Sequence, residues 1–240
     1  MRGCACRGTM GLAHLSCLVW QAEMAVKEKE EWNTGEGMRK WYKCFDCGQD
    51  FHGAVQLALG WACWKTYLGR SETDWTRCES LGVLGSALDE NRRHEEALPV
   101  IEANLALNRR YWPYDVGSIL VSQNNLAACL SGNGRHDEAL VLKREIYARM
   151  VTTFGVSHER AIVSGYNLAN SLVGLERRDE ATTFLRDQLL PVARRSLGLD
   201  HYVTLGINYN LANVLQHGTR DDLRFESQAP ISHAAAPRHI

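Results

Sequence analysis

The chain has 240 residues, enough for one or two domains, and its hydrophobic fraction of 45% is that of an ordinary packed protein. A formal net charge of −1 and a pI near 6.8 exclude the basic excess typical of proteins that bind nucleic acid or anionic membranes. No stretch approaches the roughly 20 apolar residues of a membrane span, and polar residues interrupt Leu12–Trp20, so no secretory signal is predicted. We therefore expect an intracellular protein, cytoplasmic or nuclear, that binds neither nucleic acid nor membrane.

Five of the eight cysteines lie within the first 47 residues, and most of them are closely paired. A histidine adds one more pair, so the three pairs are Cys4/Cys6, His14/Cys17 and Cys44/Cys47. Pairs at such spacing let a single tight turn supply two ligands to tetrahedral zinc. The alternatives are a disulfide framework, which is typical of small secreted domains, and simple burial of the thiols as small hydrophobic groups. The pairing favours zinc bound by reduced cysteines.

The segment also resembles the RING-variant (RING-CH) zinc finger over roughly residues 3–49. The residues that carry the resemblance are Cys6-Arg7-Gly8, the seven residues between Cys6 and His14, and Cys17-Leu18-Val19-Trp20. The resemblance implies one complete zinc site, made by Cys4, Cys6, Cys44 and Cys47, and a second half-site made by His14 and Cys17. The pair that would complete the half-site would precede Met1, so the module is expected to be truncated at its N-terminus. His52 is an alternative ligand.

Two helices are predicted before the central part of the chain. The residues from Gln21 to Trp32 are rich in Ala, Glu and Lys, which indicates a solvated helix. Apolar and aromatic residues are dense from Phe51 to Leu68 at roughly helical spacing. We expect this second helix to cover the end of the array that follows it, although its aromatic residues are also compatible with a ligand platform. Ser71 or Asp74 is the expected N-cap of the next helix.

Three blocks of sequence then repeat with a period of 42 residues. They are Arg93–Leu98, Arg135–Leu140 and Arg177–Ala181. Each unit is predicted to be a helix A, a polar turn and a helix B, with Ala97, Ala139 and Ala181 where the two helices cross. A period of this length is typical of a helical solenoid. The predicted fold class is mainly α. A zinc module (1–50), a connecting helix (51–74) and about three and a half repeats (75–217) precede a tail (218–240) whose composition indicates disorder.

The repeats resemble tetratricopeptide repeats of the kinesin light chain type. The phrase Asn125-Leu126-Ala127 recurs at Asn167 and at Asn210, and Gly134–Ala139 matches the turn of that repeat. The resemblance implies that helix A lines a groove for extended peptides and that the asparagine before its leucine clamps the peptide backbone. Asn125, Asn167 and Asn210 hold that position, and the same face carries Asn124, Tyr166, Asn170, Tyr209 and Asn213. An ordinary solvated helix face is the alternative.

No nucleophile elbow, Walker or dinucleotide-binding motif is present in the sequence, and the histidines that recur with the repeat are turn residues. The sequence therefore predicts a zinc-binding adaptor that binds a partner protein or an extended peptide in the groove. The RING-CH resemblance implies an alternative, a ubiquitin ligase whose repeats select substrates. In that alternative Trp20 is the candidate contact for a ubiquitin-conjugating enzyme.

Overall fold

The computed structural model describes residues 14–30 and 36–227, with the backbone alone for residues 29–30 and 217–227. Regular structure in these residues is helical, apart from one antiparallel bridge between Lys43 and Asp50. The helices are α1 (Leu15–Glu30), a 3-10 helix (Gly37–Trp41), α2 (Gly53–Tyr67), α3 (Trp75–Glu90), α4 (His94–Tyr111), α5 (Val116–Gly132), α6 (His136–Phe154), α7 (Glu159–Gly174), α8 (Arg178–Thr183), α9 (Leu190–Ser196) and α10 (Tyr202–Ser227). A π-helical segment, Phe184–Leu189, joins α8 to α9.

The chain divides into two compact units, Met1–Ile146 (unit 1) and Tyr147–Ile240 (unit 2), and α6 contributes residues to both. Within the described residues, no helix combines the length and the apolarity needed to cross a bilayer. The three predicted helix A–turn–helix B units correspond to α3 with α4, α5 with α6, and α7 with the α8–α9 segment. The predicted helical character of the repeats is therefore confirmed.

The first part of unit 1 has a single apolar core shared by α1, the 3-10 helix and α2. Trp41 is fully buried in this core and meets Tyr67 of α2 edge-on, with 5.9 Å between the ring centroids. Leu18 of α1 and Leu59 of α2 lie in the same cluster. α1 begins at Leu15, six residues before the predicted start at Gln21, because its first turns also contribute apolar residues to this core. The predicted zinc module and the predicted connecting helix thus pack together.

The turns between helices A and B follow the repeat closely. The second residue after each of α3, α5 and α7 has a positive φ: Arg92 at 61°, Gly134 at 77° and Glu176 at 56°. These positions are 42 residues apart, and glycine occupies only the second, where it adopts this left-handed conformation without steric cost. The predicted crossing residues Ala97, Ala139 and Ala181 are buried, as their small side chains require.

The same salt bridge then begins each helix B. Arg93 pairs with Glu96, Arg135 with Glu138 and Arg177 with Glu180, at 2.6 to 2.7 Å. The carboxylates lie in the first turn, where they also favour the helix dipole. Because the pairs are largely exposed to water, each contributes little to the stability of the fold. The three pairs therefore identify where each helix B begins.

Helix B of the third repeat contains one extra residue, and the π-helical segment accommodates it. Ala139 and Ala181 are 42 residues apart, whereas the buried residues Ile146 and Leu189 are 43 apart. The insertion therefore falls between Ala181 and Leu189, where the wide turn of Phe184–Leu189 lies. Pro191 follows at the start of α9, and its missing N–H suits this interruption.

The last helix differs from the other helices of type A. α3, α5 and α7 have 16, 17 and 16 residues, whereas α10 has 26 and ends at Ser227. Residue 217, where the array was predicted to end, lies inside this helix, so that the first ten residues of the predicted tail are helical. Residues 228–240 lie outside the described part of the chain.

Candidate functional site

The described metal-ligand candidates lie in two different settings, and Cys4 and Cys6 are outside the described residues. His14 directly precedes α1 and Cys17 lies in its first turn, both exposed. Cys44 is buried in the first core, whereas Cys47 is exposed. Within residues 14–30 and 36–227, no three His, Cys, Asp or Glu side chains come together as they would in a metal site.

The backbone around the last cysteine pair forms a tight turn. The Gly48 N–H donates to the Cys44 carbonyl at 3.0 Å, and the Cys44 N–H donates to the Gln49 carbonyl at 2.8 Å. Gly48 has a φ of 70°, which its missing side chain allows. The turn closes the backbone of this C-x2-C loop, while the Cys44 thiol is buried and the Cys47 thiol is exposed.

Two predicted binding residues of unit 1 lie on α5, and the structure gives both of them partners inside the fold. Asn125 is half-buried, and its Nδ2 donates to Ser86 Oγ of α3 at 3.3 Å. Asn124 donates to the Leu120 carbonyl of its own helix at 3.0 Å. Val121, one turn earlier, is 58% exposed. This face of α5 is accessible, but both carboxamides already donate a hydrogen bond, that of Asn125 to α3 and that of Asn124 to its own helix.

The predicted binding residues of unit 2 lie on α7 and α10. Asn170 and Tyr209 are exposed, and Tyr166, Asn167 and Asn213 are half-buried. We call these five residues the unit 2 face. Tyr166 also packs on α10 where a glycine lies: a Cβ at Gly206 would meet the Tyr166 hydroxyl. The glycine allows this close approach of the two helices.

Asn210 does not face solvent in the way that the clamp prediction requires. Its side chain is buried, with a residue exposure of 9%, and Nδ2 donates to Oδ1 of Asn170. A buried amide satisfied in this way is held in one orientation. Asn210 therefore positions the exposed Asn170, whose own amide group is the one that solvent can reach.

The structure contains a buried polar cluster that the sequence analysis missed. Asn104 of α4 donates from Nδ2 to the Cys78 carbonyl of α3 at 2.8 Å, and Ser122 Oγ of α5 donates to Asn104 Oδ1 at 2.7 Å. Asn108 Nδ2 also donates to Ser122 Oγ, at 3.0 Å. These bonds tie α3, α4 and α5 together. They contribute to the cohesion of unit 1, and their burial excludes a direct contact with a large ligand.

A cysteine and a histidine also meet in unit 1, but their geometry is structural. Cys129 Sγ donates to the His94 backbone carbonyl at 3.3 Å, and Asn133 Nδ2 donates to the same oxygen at 3.1 Å. The His94 ring faces Asp89, with 2.8 Å between Nδ1 and Oδ1. Burial, with the nearby Asp89, raises the pKa of Cys129 to about 12. A thiol with so high a pKa is a poor nucleophile, so this cluster links α4 to α5 and has no catalytic character.

Comparison with known proteins agrees with the helical-repeat geometry. The sequence model of the tetratricopeptide repeat family matches residues 119–160, which include most of α5 and all of α6. The solved structure of tetratricopeptide-like repeats from a Podosopora anserina protein described as a putative kinesin light chain superposes with a TM-score of 0.58 at 20% identity, covering 91% of this chain and all of that one. A single-residue variant of that protein gives a TM-score of 0.57 at 23% identity, covering 89% of this chain and 92% of that one. No curated protein matches the chain.

The repeats have the tetratricopeptide fold. The family match and the two structures confirm this part of the predicted fold class, and they confirm the likeness to kinesin light chain repeats at the level of fold. They give no support to the RING-CH resemblance. A zinc site and a contact with a ubiquitin-conjugating enzyme at Trp20 therefore stay predictions.

Proposed function

We propose that the chain is a protein-interaction adaptor that binds an extended segment of a partner protein on the unit 2 face. The observation that supports this most is the pairing of α7 and α10, which presents an exposed asparagine and an exposed tyrosine on adjacent helices of type A. An amide side chain can both donate to and accept from a peptide backbone, and an exposed tyrosine ring offers apolar area together with a hydroxyl.

The contact between Asn210 and Asn170 gives the proposed site its preorganisation. Because Asn170 Oδ1 accepts from Asn210, the exposed side chain need not be ordered when a peptide binds. Asn170 Nδ2 is then directed by its partner and can donate to a peptide carbonyl. Tyr209, 69% exposed, supplies the neighbouring ring. Asn125 and Asn124 form the corresponding face of unit 1, where the prediction of a clamp at Asn125 is weaker because Ser86 already accepts from its amide.

The proposal can be tested with a pool of phage-displayed dodecapeptides selected on the whole chain. We expect the wild-type chain to enrich peptides that an Asn167→Ala/Asn170→Ala variant fails to retain. Asn208→Ala is the matched control, because Asn208 lies on α10 beside Tyr209 but points to Arg194, at 3.1 Å. Enrichment on the double variant equal to that on the wild type would refute the proposed face. An unchanged affinity in Asn125→Ala would show that Asn125 of unit 1 does not contribute to binding.

Zinc binding is a finer part of the proposal and rests on the turn at Cys44–Gly48. In it, Cys44 and Cys47 would provide two thiolates, and Cys4 and Cys6 would provide the others. His14 and Cys17 would form the half-site. Native mass spectrometry of the chain, purified without chelator, should detect one zinc that is lost in Cys47→Ser. Because Cys47 is exposed, this substitution is expected to leave the helical circular dichroism unchanged. A wild-type chain without zinc would refute the site.

Ubiquitin ligase activity is the second candidate function, and one observation favours it. Trp20 on α1 is 62% exposed, although a large aromatic side chain is usually buried when the fold has room for it. An exposed Trp on a short helix could anchor a ubiquitin-conjugating enzyme. Ubiquitin transfer in the presence of several conjugating enzymes, abolished in Trp20→Ala, is the expected result. Absence of transfer with all of them would rule out this candidate.

A further inference from the structure

Three tyrosines of unit 2 lie together where α7 packs against α10. Tyr202 and Tyr209 are on α10 and are 66% and 69% exposed. They are seven residues apart, so their side chains leave the helix within about 20° of each other, roughly 10.5 Å apart along its axis. Tyr166 of α7 lies between them, because its hydroxyl contacts α10 at Gly206, one turn after Tyr202. We call Tyr166, Tyr202 and Tyr209 the tyrosine platform.

The amide beside the platform presents a hydrogen-bond donor to solvent. Asn170 is exposed and lies one turn after Tyr166 on α7. Its Oδ1 already accepts from Nδ2 of the buried Asn210, so the group that remains for a ligand is its own Nδ2, which can only donate. The tyrosine hydroxyls can donate as well. The platform with Asn170 therefore offers aromatic rings together with hydrogen-bond donors.

The platform has no charge with which a charged segment could pair. None of its three side chains is ionic, and neither is that of Asn170. The carboxylate at the start of α7, Glu159, is directed to a histidine, with 3.8 Å between its Oε1 and Nε2 of His201. Recognition at the platform must therefore depend on contact with the rings and on hydrogen bonds, which favours an uncharged segment of the partner.

We propose that the tyrosine platform binds a proline-rich segment of the partner in the polyproline II conformation, an inference that rests on the proposed binding of an extended segment to the unit 2 face. Proline has no backbone N–H, so such a segment presents carbonyl acceptors and requires few acceptors from the protein. Asn170 Nδ2 and the tyrosine hydroxyls donate to these carbonyls. The proline rings pack on the tyrosine rings, as they do in other aromatic-lined grooves that bind polyproline II segments.

The spacing of the two exposed tyrosines agrees with this conformation. Polyproline II has three residues per turn and rises about 3.1 Å per residue, so prolines three residues apart lie on one side, about 9.3 Å from each other. Tyr202 and Tyr209, roughly 10.5 Å apart along α10, can each contact one of these two prolines. The expected segment is P-x-x-P, and it lies along α10. A β-strand fits less well, because its N–H groups would need acceptors that Asn170 does not provide.

Fluorescence anisotropy with labelled dodecaproline and the whole chain tests this proposal. We expect saturable binding, and an unlabelled peptide of the same length with alternating glycine and serine should compete at least about 10-fold more weakly than unlabelled dodecaproline. Tyr202→Ala and Tyr209→Ala should each weaken binding by about 5- to 30-fold, as the loss of an aromatic anchor does. Tyr114→Ala is the matched control: Tyr114 is 96% exposed but lies in unit 1, between α4 and α5, so this variant should bind like the wild type.

The variant Asn210→Ala tests the hydrogen-bond argument separately. It releases Asn170 Oδ1, which can then accept from a backbone N–H, so the preference for dodecaproline over the glycine–serine peptide should become smaller. If Asn210 had only a structural role, both peptides would lose affinity alike. An unchanged preference would therefore overturn the assignment of Asn170 as a donor to the proline segment.

The library selection distinguishes failure of this inference from failure of the proposed function. Selected peptides that contain P-x-x-P and that dodecaproline displaces would support both. Peptides that bind the unit 2 face but lack proline and resist displacement would overturn the proline-rich segment and leave the proposed function standing. A selection that yields no peptides would overturn both. Each variant must give a folded circular dichroism spectrum, and Tyr209→Gln replaces Tyr209→Ala if the latter fails to fold.

Discussion

The substitution Asn104→Ala tests how unit 1 holds three of its helices together. Asn104 is buried on α4, donates to the Cys78 carbonyl at 2.8 Å and accepts from Ser122 Oγ at 2.7 Å. Each of these hydrogen bonds stabilises the fold by about 1 kcal/mol, and the Ser122 hydroxyl would lose its acceptor at a buried site. We therefore expect the free energy of unfolding to fall by about 2–4 kcal/mol.

Urea denaturation followed by circular dichroism in the far ultraviolet measures this change. Asn124→Ala is the matched control, because Asn124 is half-buried and donates only to the Leu120 carbonyl of its own helix. Alanine also has the higher helix propensity, so that the control should stay within about 0.5 kcal/mol of the wild type. If Asn104→Ala were no more destabilising than Asn124→Ala, the buried polar cluster would not hold the helices together.

A third variant, Ser122→Ala, tests the hydrogen bond that Ser122 and Asn104 share when it is combined with Asn104→Ala. It removes the donor to Asn104 Oδ1 and the acceptor of Asn108 Nδ2, but leaves the bond from Asn104 to Cys78, so we expect a loss of about 1–3 kcal/mol. Because both single variants break the same bond, the double variant should lose less than the sum of the two. Additive losses would mean that the hydrogen bond between the two side chains contributes nothing.

Three further outcomes follow from packing and from ionisation. Gly132→Ala should destabilise the fold by about 1–3 kcal/mol in thermal unfolding, because a Cβ there would clash with the imidazole of His94, the first residue of α4. Gly174→Ala is the control: nothing lies within 4 Å of a Cβ at that position, so this variant should be neutral or slightly stabilising. Equal effects of the two substitutions would contradict this expectation. Burial, with a neighbouring carboxylate, raises the pKa of Glu79 from its ordinary value of 4.5 to about 7 in the folded chain. The stabilisation from its proton is therefore complete below about pH 4.5 and is lost as the pH rises through 7. Between about pH 5 and 8 the wild type should lose stability relative to Glu79→Gln, and a constant difference would refute this. Iodoacetamide at mildly alkaline pH should alkylate the exposed Cys17 faster than the buried Cys129, as peptide mass spectrometry would show, and equal rates would contradict the burial of the second thiol.

The repeat was predictable from sequence because its physical requirements recur. The crossing of helices A and B admits only a small residue, so alanine appears at 97, 139 and 181. The polar turns likewise fall at Asn91, Asn133 and Glu176, just before the repeated blocks that begin at residues 93, 135 and 177. Each of these signals is repeated three times in the chain, and the repetition distinguishes a packing requirement from a local accident.

Two features could not be predicted from the repeat, because the contacts that form them are not repeated: the buried polar cluster at Asn104 and the burial of Asn210. The positions equivalent to Asn104 are Ile146 and, after the inserted residue, Leu189, both buried and apolar. The period alone therefore predicts an apolar residue there, and no pattern indicates a polar cluster. Asn210 is predicted to face a ligand because Asn125 and Asn167 share its place in the repeat. Its burial follows from the contact with Asn170, which only the packing of α7 against α10 reveals.

The extension of α10 was also beyond the sequence signals. The polar residues from Arg220 onward interrupt the repeat, and this loss of periodicity predicts disorder. A helix needs no repeat period to continue, since its backbone hydrogen bonds are local. The helix extends to Ser227, whereas the sequence periodicity predicts that it ends near residue 217.

The affinity of a selected dodecapeptide for the chain, measured by fluorescence anisotropy, tests the central claim most directly. The account predicts saturable binding that Asn170→Ala weakens by about 2- to 12-fold, which corresponds to the loss of one hydrogen bond. Asn210→Ala should weaken binding as well, because it releases Asn170, and Asn208→Ala should leave it unchanged. Equal affinities for the wild type, Asn170→Ala and Asn210→Ala would contradict the proposal that the unit 2 face binds the partner.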